Sequence, residues 1–179
     1  MNATRRLLWL STVTIVLGGC AAGVTRQAAE GGKLAPAPAA ATRIVLSLSA
    51  KPSLPAGGDW LAFRDEWQTS MSAATAAAGI GFKFAAAEDA MPAEPATLVK
   101  LIVNDFRYVS QSTRYAVGIF AGNAFMDVEA QFVEAPSGRV LGTRKYATSS
   151  SAWQGVFSAM TPKQVEAVAQ EIVKEVTAR

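Results

Sequence analysis

Three stretches of the chain carry a clear period in their apolar positions. Between Asn123 and Val133, Ala124, Met126, Val128, Ala130 and Phe132 fall on one face, and Asn123, Asp127, Glu129 and Gln131 on the other. That alternation predicts a strand with one buried face. Trp60, Phe63, Trp67, Met71 and Ala74 recur at helical spacing and predict an amphipathic helix from Asp59, as its cap, to about Ala78. Gly79 follows as a terminator. Val165, Val168, Ala169, Ile172, Val173 and Val176 form a second stripe, entered through Thr161-Pro162-Lys163-Gln164. That entry reads as a capping box, with an N-cap Thr, Pro at the first helical position and Gln at the third.

The remaining elements have β character. Arg43 to Ser49 predicts a first strand, and Gly81 to Phe84 a short second one. Thr97 to Val109 is the most β-prone run. Its apolar residues lie on both faces, as in a central strand covered on both sides for part of its length. Pro136-Ser137-Gly138 marks a hairpin turn, and Arg139 to Thr148 its return strand. The predicted order is β-α-β-β-β-β-α. This is an α+β domain, with a mostly antiparallel sheet of four to five strands and two helices packed on one face.

The N-terminus follows a different pattern. Arg5 and Arg6 precede an apolar run from Leu7 to Leu17, too short to span a bilayer and suited to a secretory leader over residues 1–19. The run ends in Leu17-Gly18-Gly19-Cys20, which resembles the lipobox of bacterial lipoproteins. The resemblance implies lipidation at Cys20, with a diacylglycerol on the thiol and a further acyl chain, such as palmitate, on the new amine. Several acyl chains anchor stably where one does not. Ala21 stands where an aspartate would resemble the inner-membrane retention signal, so the resemblance implies an outer-membrane lipoprotein facing the periplasm. From residue 20 to residue 42 the chain is rich in Ala, Gly and Pro, with Ala35-Pro36-Ala37-Pro38 at its centre. That composition predicts a disordered tether, followed by a single domain over residues 43–179.

Composition narrows the chemistry. Half of the 179 residues count as hydrophobic, but 35 of them are alanine, enough bulk for one core and not for a membrane bundle. There is no histidine and one cysteine. A Ser-His-Asp or Cys-His triad, a His-ligated zinc, an intramolecular disulfide and a four-cysteine cluster are therefore excluded. The formal charge of +3 includes Arg5 and Arg6; without the leader, 15 basic residues face 14 acidic ones. Nothing in that balance points to nucleic acid, and no metal or cofactor is implied.

The stretch Val103 to Val176 carries a further likeness, in Asn104-Asp105-Phe106, Arg114-Tyr115, Gly118-Ile119-Phe120-Ala121-Gly122-Asn123-Ala124, Ser137-Gly138-Arg139-Val140-Leu141 and Ser149-Ser150-Ser151-Ala152-Trp153. It resembles the DUF4410 family of bacterial envelope proteins, often lipid-anchored. A lipobox ahead of a small α+β domain is, more distantly, similar to the penicillin-binding-protein activators. Both resemblances imply location and fold, and neither implies an activity.

Three functional readings follow. The first is a non-enzymatic envelope lipoprotein that works through a protein partner, using segments 110–122 and 149–160. Arg107, Arg114, Tyr115, Phe120, Trp153 and Phe157 are the candidate contacts. The second is a periplasmic small-ligand or glycan-binding module with the same residues around a cleft. The third is a hydrolase built from carboxylates alone, Asp105, Asp127 and Glu129. Gly118 to Gly122 lacks the Gly-Lys-Ser/Thr of a phosphate loop and reads as a backbone bend.

Overall fold

The protein is described from a computed structural model that covers residues 24–30, 32–54, 57–85, 90–110, 116, 124–149 and 161–178. Its described elements are β1 (Val24–Glu30), β2 (Arg43–Ala50), α1 (Gly58–Ala77), β3 (Gly81–Phe84), β4 (Ala96–Arg107), β5 (Phe125–Ala135), β6 (Arg139–Ser149) and α2 (Thr161–Thr177). A single turn of 3₁₀ helix, Ala40–Thr42, leads into β2. The strands form one six-stranded sheet in the order β1-β6-β5-β4-β2-β3.

The class is α+β, and from Arg43 onward the order of elements is the predicted one. The sheet, however, is mixed rather than mostly antiparallel: β2 runs parallel to both β3 and β4. The cause is connectivity. α1 returns the chain over the sheet after β2, so β3 enters in the same direction, as a strand–helix–strand unit requires. The connection from β3 to β4 must then cross β2 to reach its other side. The antiparallel part is the β4-β5-β6 meander, closed by the Pro136-Ser137-Gly138 turn, with Gly138 at φ +74°.

The core lies between the sheet and the two helices. Leu46, Val99, Leu101, Val103, Met126, Val128, Phe132 and Tyr146 meet Phe63, Trp67, Met71, Val165, Val168 and Ile172 there, all buried. The predicted inward face of β5 is the face that is buried. β4 is covered on both sides near its start, since Leu98 joins Val45, Ala96, Val133 and Ala135 in a small cluster on the other face. At the end of α1, the Ile80 N–H bonds to the Thr75 carbonyl (3.0 Å) and the Gly79 N–H to that of Ala76 (3.1 Å). With Gly79 at φ +69° this is a Schellman ending, so the glycine is the terminator the pattern predicts. The start of α1 differs: Gly57 is the N-cap, and Asp59 lies in the first turn, where its charge faces the positive end of the helix dipole.

The second difference is at the N-terminus. The leader (1–19) and Cys20 lie outside the described residues. Residues 24–42, expected as part of a disordered tether, are instead laid on the domain. Val24–Glu30 pairs antiparallel with β6, from Val24 opposite Thr148 to Glu30 opposite Thr143. Leu34 and Ala40 are 1% exposed, and the Ala40 carbonyl accepts a bond from Thr97 Oγ1 (3.1 Å). Reading for apolar bulk misses such a strand. What holds β1 is mainly the row of backbone donors and acceptors on the edge of β6, which any sequence can satisfy.

Candidate functional site

Arg107 is the last residue of β4. It lies opposite Phe125, which lies opposite Ser149, so the ends of β4, β5 and β6 coincide at one edge of the fold. A register shift between Val103 and Asp105 turns Phe106 inward, onto the helices. Phe106 stacks on Phe63 with centroids 4.5 Å apart, and Trp60 lies 6.0 Å from Phe106. Beside this aromatic group is a cavity of about 520 Å³, within the size range of small-ligand pockets. Leu54, Gly57, Gly58, Asp59, Phe106, Arg107 and Tyr108 line it. Burial raises the Tyr108 hydroxyl above the ordinary phenol range, and the nearby Glu66, Asp59 and Asp65 carboxylates push it the same way. Tyr108 is therefore a neutral hydrogen-bonding group at any physiological pH.

The floor of this region is tied down from α2. Thr161 Oγ1 accepts the Val109 N–H (2.8 Å) and donates to the Arg107 carbonyl (3.3 Å). Gln164 Nε2 donates to the Ala124 carbonyl (2.9 Å). The two residues predicted to form a capping box thus use their side chains on neighbouring segments. They hold the chain where it leaves β4 and where it enters β5.

Of the predicted contact residues, Arg107 is exposed and lines the cavity. Arg114, Tyr115, Phe120, Trp153 and Phe157 lie outside the described residues, as do Gly118 to Gly122 and most of segments 110–122 and 149–160. The three carboxylates occupy the sheet face away from the helices. Asp105 and Asp127 are opposite each other on β4 and β5, Asn104 Nδ2 donates to Asp127 Oδ1 (3.3 Å), and Glu129 pairs with Lys145 (3.6 Å). Asp105 and Asp127 are exposed, and none of the three lines the cavity beside Arg107. Among the described residues no group of acidic or cysteine side chains is placed to hold a metal, and no helix is long and apolar enough to cross a membrane.

A buried charged group went unpredicted. Glu175 of α2, with 8% of its side chain exposed, sits between two arginines. Arg26 of β1 donates to its Oε1. Arg144 of β6, with a side chain 3% exposed, places Nε 3.3 Å from Oε2. The buried face of β6 runs Gly142, Arg144, Tyr146, Thr148. A period of two counted from Tyr146 would have put Arg144 inside.

No protein-family model matches the chain, and no curated protein sequence matches it. Similar solved structures exist. The PelC dodecamer from Paraburkholderia phytofirmans is 14% identical, with a TM-score of 0.49, over 88% of this chain and 99% of that one. A point variant of the same protein is 15% identical with the same score and coverage. A Xanthomonas campestris protein described under DUF330 is 16% identical, with a TM-score of 0.44, over 79% of this chain and 90% of that one. All three are distant likenesses.

Proposed function

We propose that the protein is a bacterial envelope lipoprotein, held in the outer membrane by lipid on Cys20 and facing the periplasm, that acts by protein contact and not by catalysis. One observation carries the reading. The Leu17-Gly18-Gly19-Cys20 motif stands four residues before Val24, and Val24 pairs with Thr148 at the same edge of the sheet as Arg107 and Phe125. Four residues span at most about 14 Å. Lipid on Cys20 therefore brings that edge to the membrane surface. Segments 111–123 and 150–160 leave and rejoin the described chain at the same edge, and their sequences carry Tyr115, Phe120, Trp153 and Phe157. Aromatic side chains, Trp and Tyr above all, dominate protein contacts where a surface presents them.

Metabolic labelling with a palmitate analogue tests the anchor. Label on the parent protein and none on Cys20→Ser is expected; an unlabelled parent ends the reading. Photo-crosslinkers at Arg107 and Trp153, in intact cells, test the contact. A discrete adduct at both positions is expected, and a uniform absence of adducts counts against protein contact.

The cavity beside Arg107 favours a second reading, a small-ligand or glycan-binding module. Phe106 and Tyr108 supply aromatic surface, and Arg107 and Asp59 supply polar groups, on a wall fixed by Thr161. A screen of short oligosaccharides by titration calorimetry separates the two. Binding that is lost in Tyr108→Ala favours the ligand.

A further inference from the structure

The N-terminal segment has two descriptions in conflict. Its composition is that of a tether, and its backbone is that of an edge strand and the stretch that follows. We infer that both are states of one device: residues 24–42 are a detachable strap, and its release lengthens the link between Cys20 and the folded body.

The packing beneath the strap is what a removable element needs. β1 pairs with β6 alone, and its register slips between Ala28 and Glu30. Between residues 33–41 and the last turn of α2 lies a cavity of about 530 Å³, lined by Lys33, Leu34, Pro36 and Pro38 on one side and Val176 to Ala178 on the other. A second, of about 390 Å³, lies beside Arg26, Gly32 and Lys33 against Arg144, Lys174 and Glu175. Both are open to solvent, so along these stretches the strap lacks packing partners on that side. Leu34 is the one large side chain of the segment that is fully buried among the described residues.

The charges are arranged to the same effect. A buried carboxylate that loses its partner is strongly unfavourable. Glu175 has two partners, one on the strap and one on the body. When Arg26 leaves, Arg144 stays, and the body keeps a neutral buried pair. Of the strap's other polar ties, two are at its surface, the Ala37 N–H to Glu134 Oε2 (2.6 Å) and Arg139 Nη2 to the Ala35 carbonyl (3.3 Å), and two are set deeper, Thr97 Oγ1 to the Ala40 carbonyl (3.1 Å) and Arg144 Nη2 to the Gly32 carbonyl. Of the buried residues of the main core, the strap supplies Leu34, and β2, β4, β5, β6 and the two helices supply the rest.

Release changes reach. With the strap docked, Cys20 lies four positions from the first paired residue, Val24; with it free, the link runs to Arg43. A flexible chain of that length has a mean span of roughly 25 Å and a limit of roughly 75 Å, against about 14 Å when docked. Its Ala, Gly and Pro content keeps it open once it is off the sheet. The strap would thus hold the body at the membrane or let it out to meet a partner. The reach rests on lipidation at Cys20; the detachment does not.

Two measurements test the two parts separately. In solution, the chain from residue 20 with Cys20→Ser is exposed to trypsin, which cuts after Arg26 and Lys33 in the strap. Strap cleavage at least ~10-fold faster than loss of the body is expected, with Leu34→Ala faster again. A disulfide joining Thr25→Cys to Ala147→Cys, which are opposite in the register, should abolish the fast cut. Strap and body cleaved at one rate would overturn the detachment. In vesicles, the lipidated chain carries a donor dye at Ser72→Cys, on the exposed side of α1, and the bilayer an acceptor. Leu34→Ala is expected to reduce energy transfer and the disulfide to restore it. Unchanged transfer overturns the reach, whereas a chain that never joins vesicles overturns lipidation and leaves the solution result standing.

Discussion

Arg144→Met is the most informative single change in the body. The side chain it removes is 3% exposed and pairs with Glu175, itself 8% exposed. It also donates to the backbone carbonyls of Thr143 (3.0 Å) and Gly32. Removing one partner of a buried pair costs about 3–5 kcal/mol when the remaining charge has nothing else. Here Glu175 keeps Arg26, whose side chain is 47% exposed, so the charge is partly compensated through a screened contact. The expected loss is about 2–4 kcal/mol, toward the lower end of that class. For a domain of this size it corresponds to a fall in melting temperature of roughly 6–12 °C. Arg26→Met, by contrast, removes only the half-exposed contact and should cost at most about 1 kcal/mol. The double change Arg144→Met with Glu175→Met leaves no orphaned charge and should recover much of the loss. Urea and thermal unfolding of the four chains, followed by circular dichroism, supply the numbers. Equal losses for Arg26→Met and Arg144→Met would refute the division between a strap contact and a body contact. So would an Arg144→Met loss below about 1 kcal/mol.

Phe63→Ala empties the point where Phe63 stacks on Phe106 and meets Trp67 edge-on at 6.2 Å. A loss of about 3–5 kcal/mol is expected in the same unfolding assay, at the upper end because of the aromatic pairing. Thr161→Val leaves the buried Val109 N–H without its acceptor and should cost about 1–3 kcal/mol, with faster amide exchange at Val109 as its local signature. Glu134 supplies a pH test of the strap. The Ala37 N–H holds its carboxyl below the usual carboxylate range, and Arg139 adds to the effect. A carboxyl depressed by folding stabilises at pH values above its unfolded pKa, and that stability disappears as the pH falls through the folded value. Amide protection at Ala37 should therefore decline in acid, below the ordinary carboxylate range. In Glu134→Gln it should be low and insensitive to pH.

Elements whose burial follows from their own side chains were legible in the sequence. α1 shows its stripe from Phe63 to Met71, α2 its stripe from Val165 to Val176, and β5 its alternation, and each buries the face so marked. Gly79 and Gly138 end or turn the chain where a positive φ is required. Strand direction was not legible. β2, β3 and β4 read alike whether parallel or antiparallel, because what fixes their direction is which side of the sheet each connection crosses. The candidate site was legible in one described residue, Arg107. Its setting depends on the register shift at Asn104, which turns Phe106 toward Phe63, and on the Thr161 bonds, both of them contacts distant in sequence.

The N-terminal segment shows most directly how a composition and a structure can differ without contradiction. Alanine, glycine and proline offer little to bury, and among its described residues the segment accordingly contributes one large fully buried side chain, Leu34, to the core. What it does contribute is backbone. β6 would otherwise present an unpaired edge of eleven residues, and β1 covers six of its positions. A segment that adheres through its backbone has an affinity nearly independent of its side chains, and it can be weak without being unspecific. Arg26, the charge it places beside Glu175, then sets the register: one residue of slip would carry Arg26 to the solvent face of the sheet and away from Glu175. Shifting that charge to Thr25→Arg with Arg26→Thr should therefore weaken the strap's protection from trypsin at Lys33 while leaving the unfolding of the body unchanged.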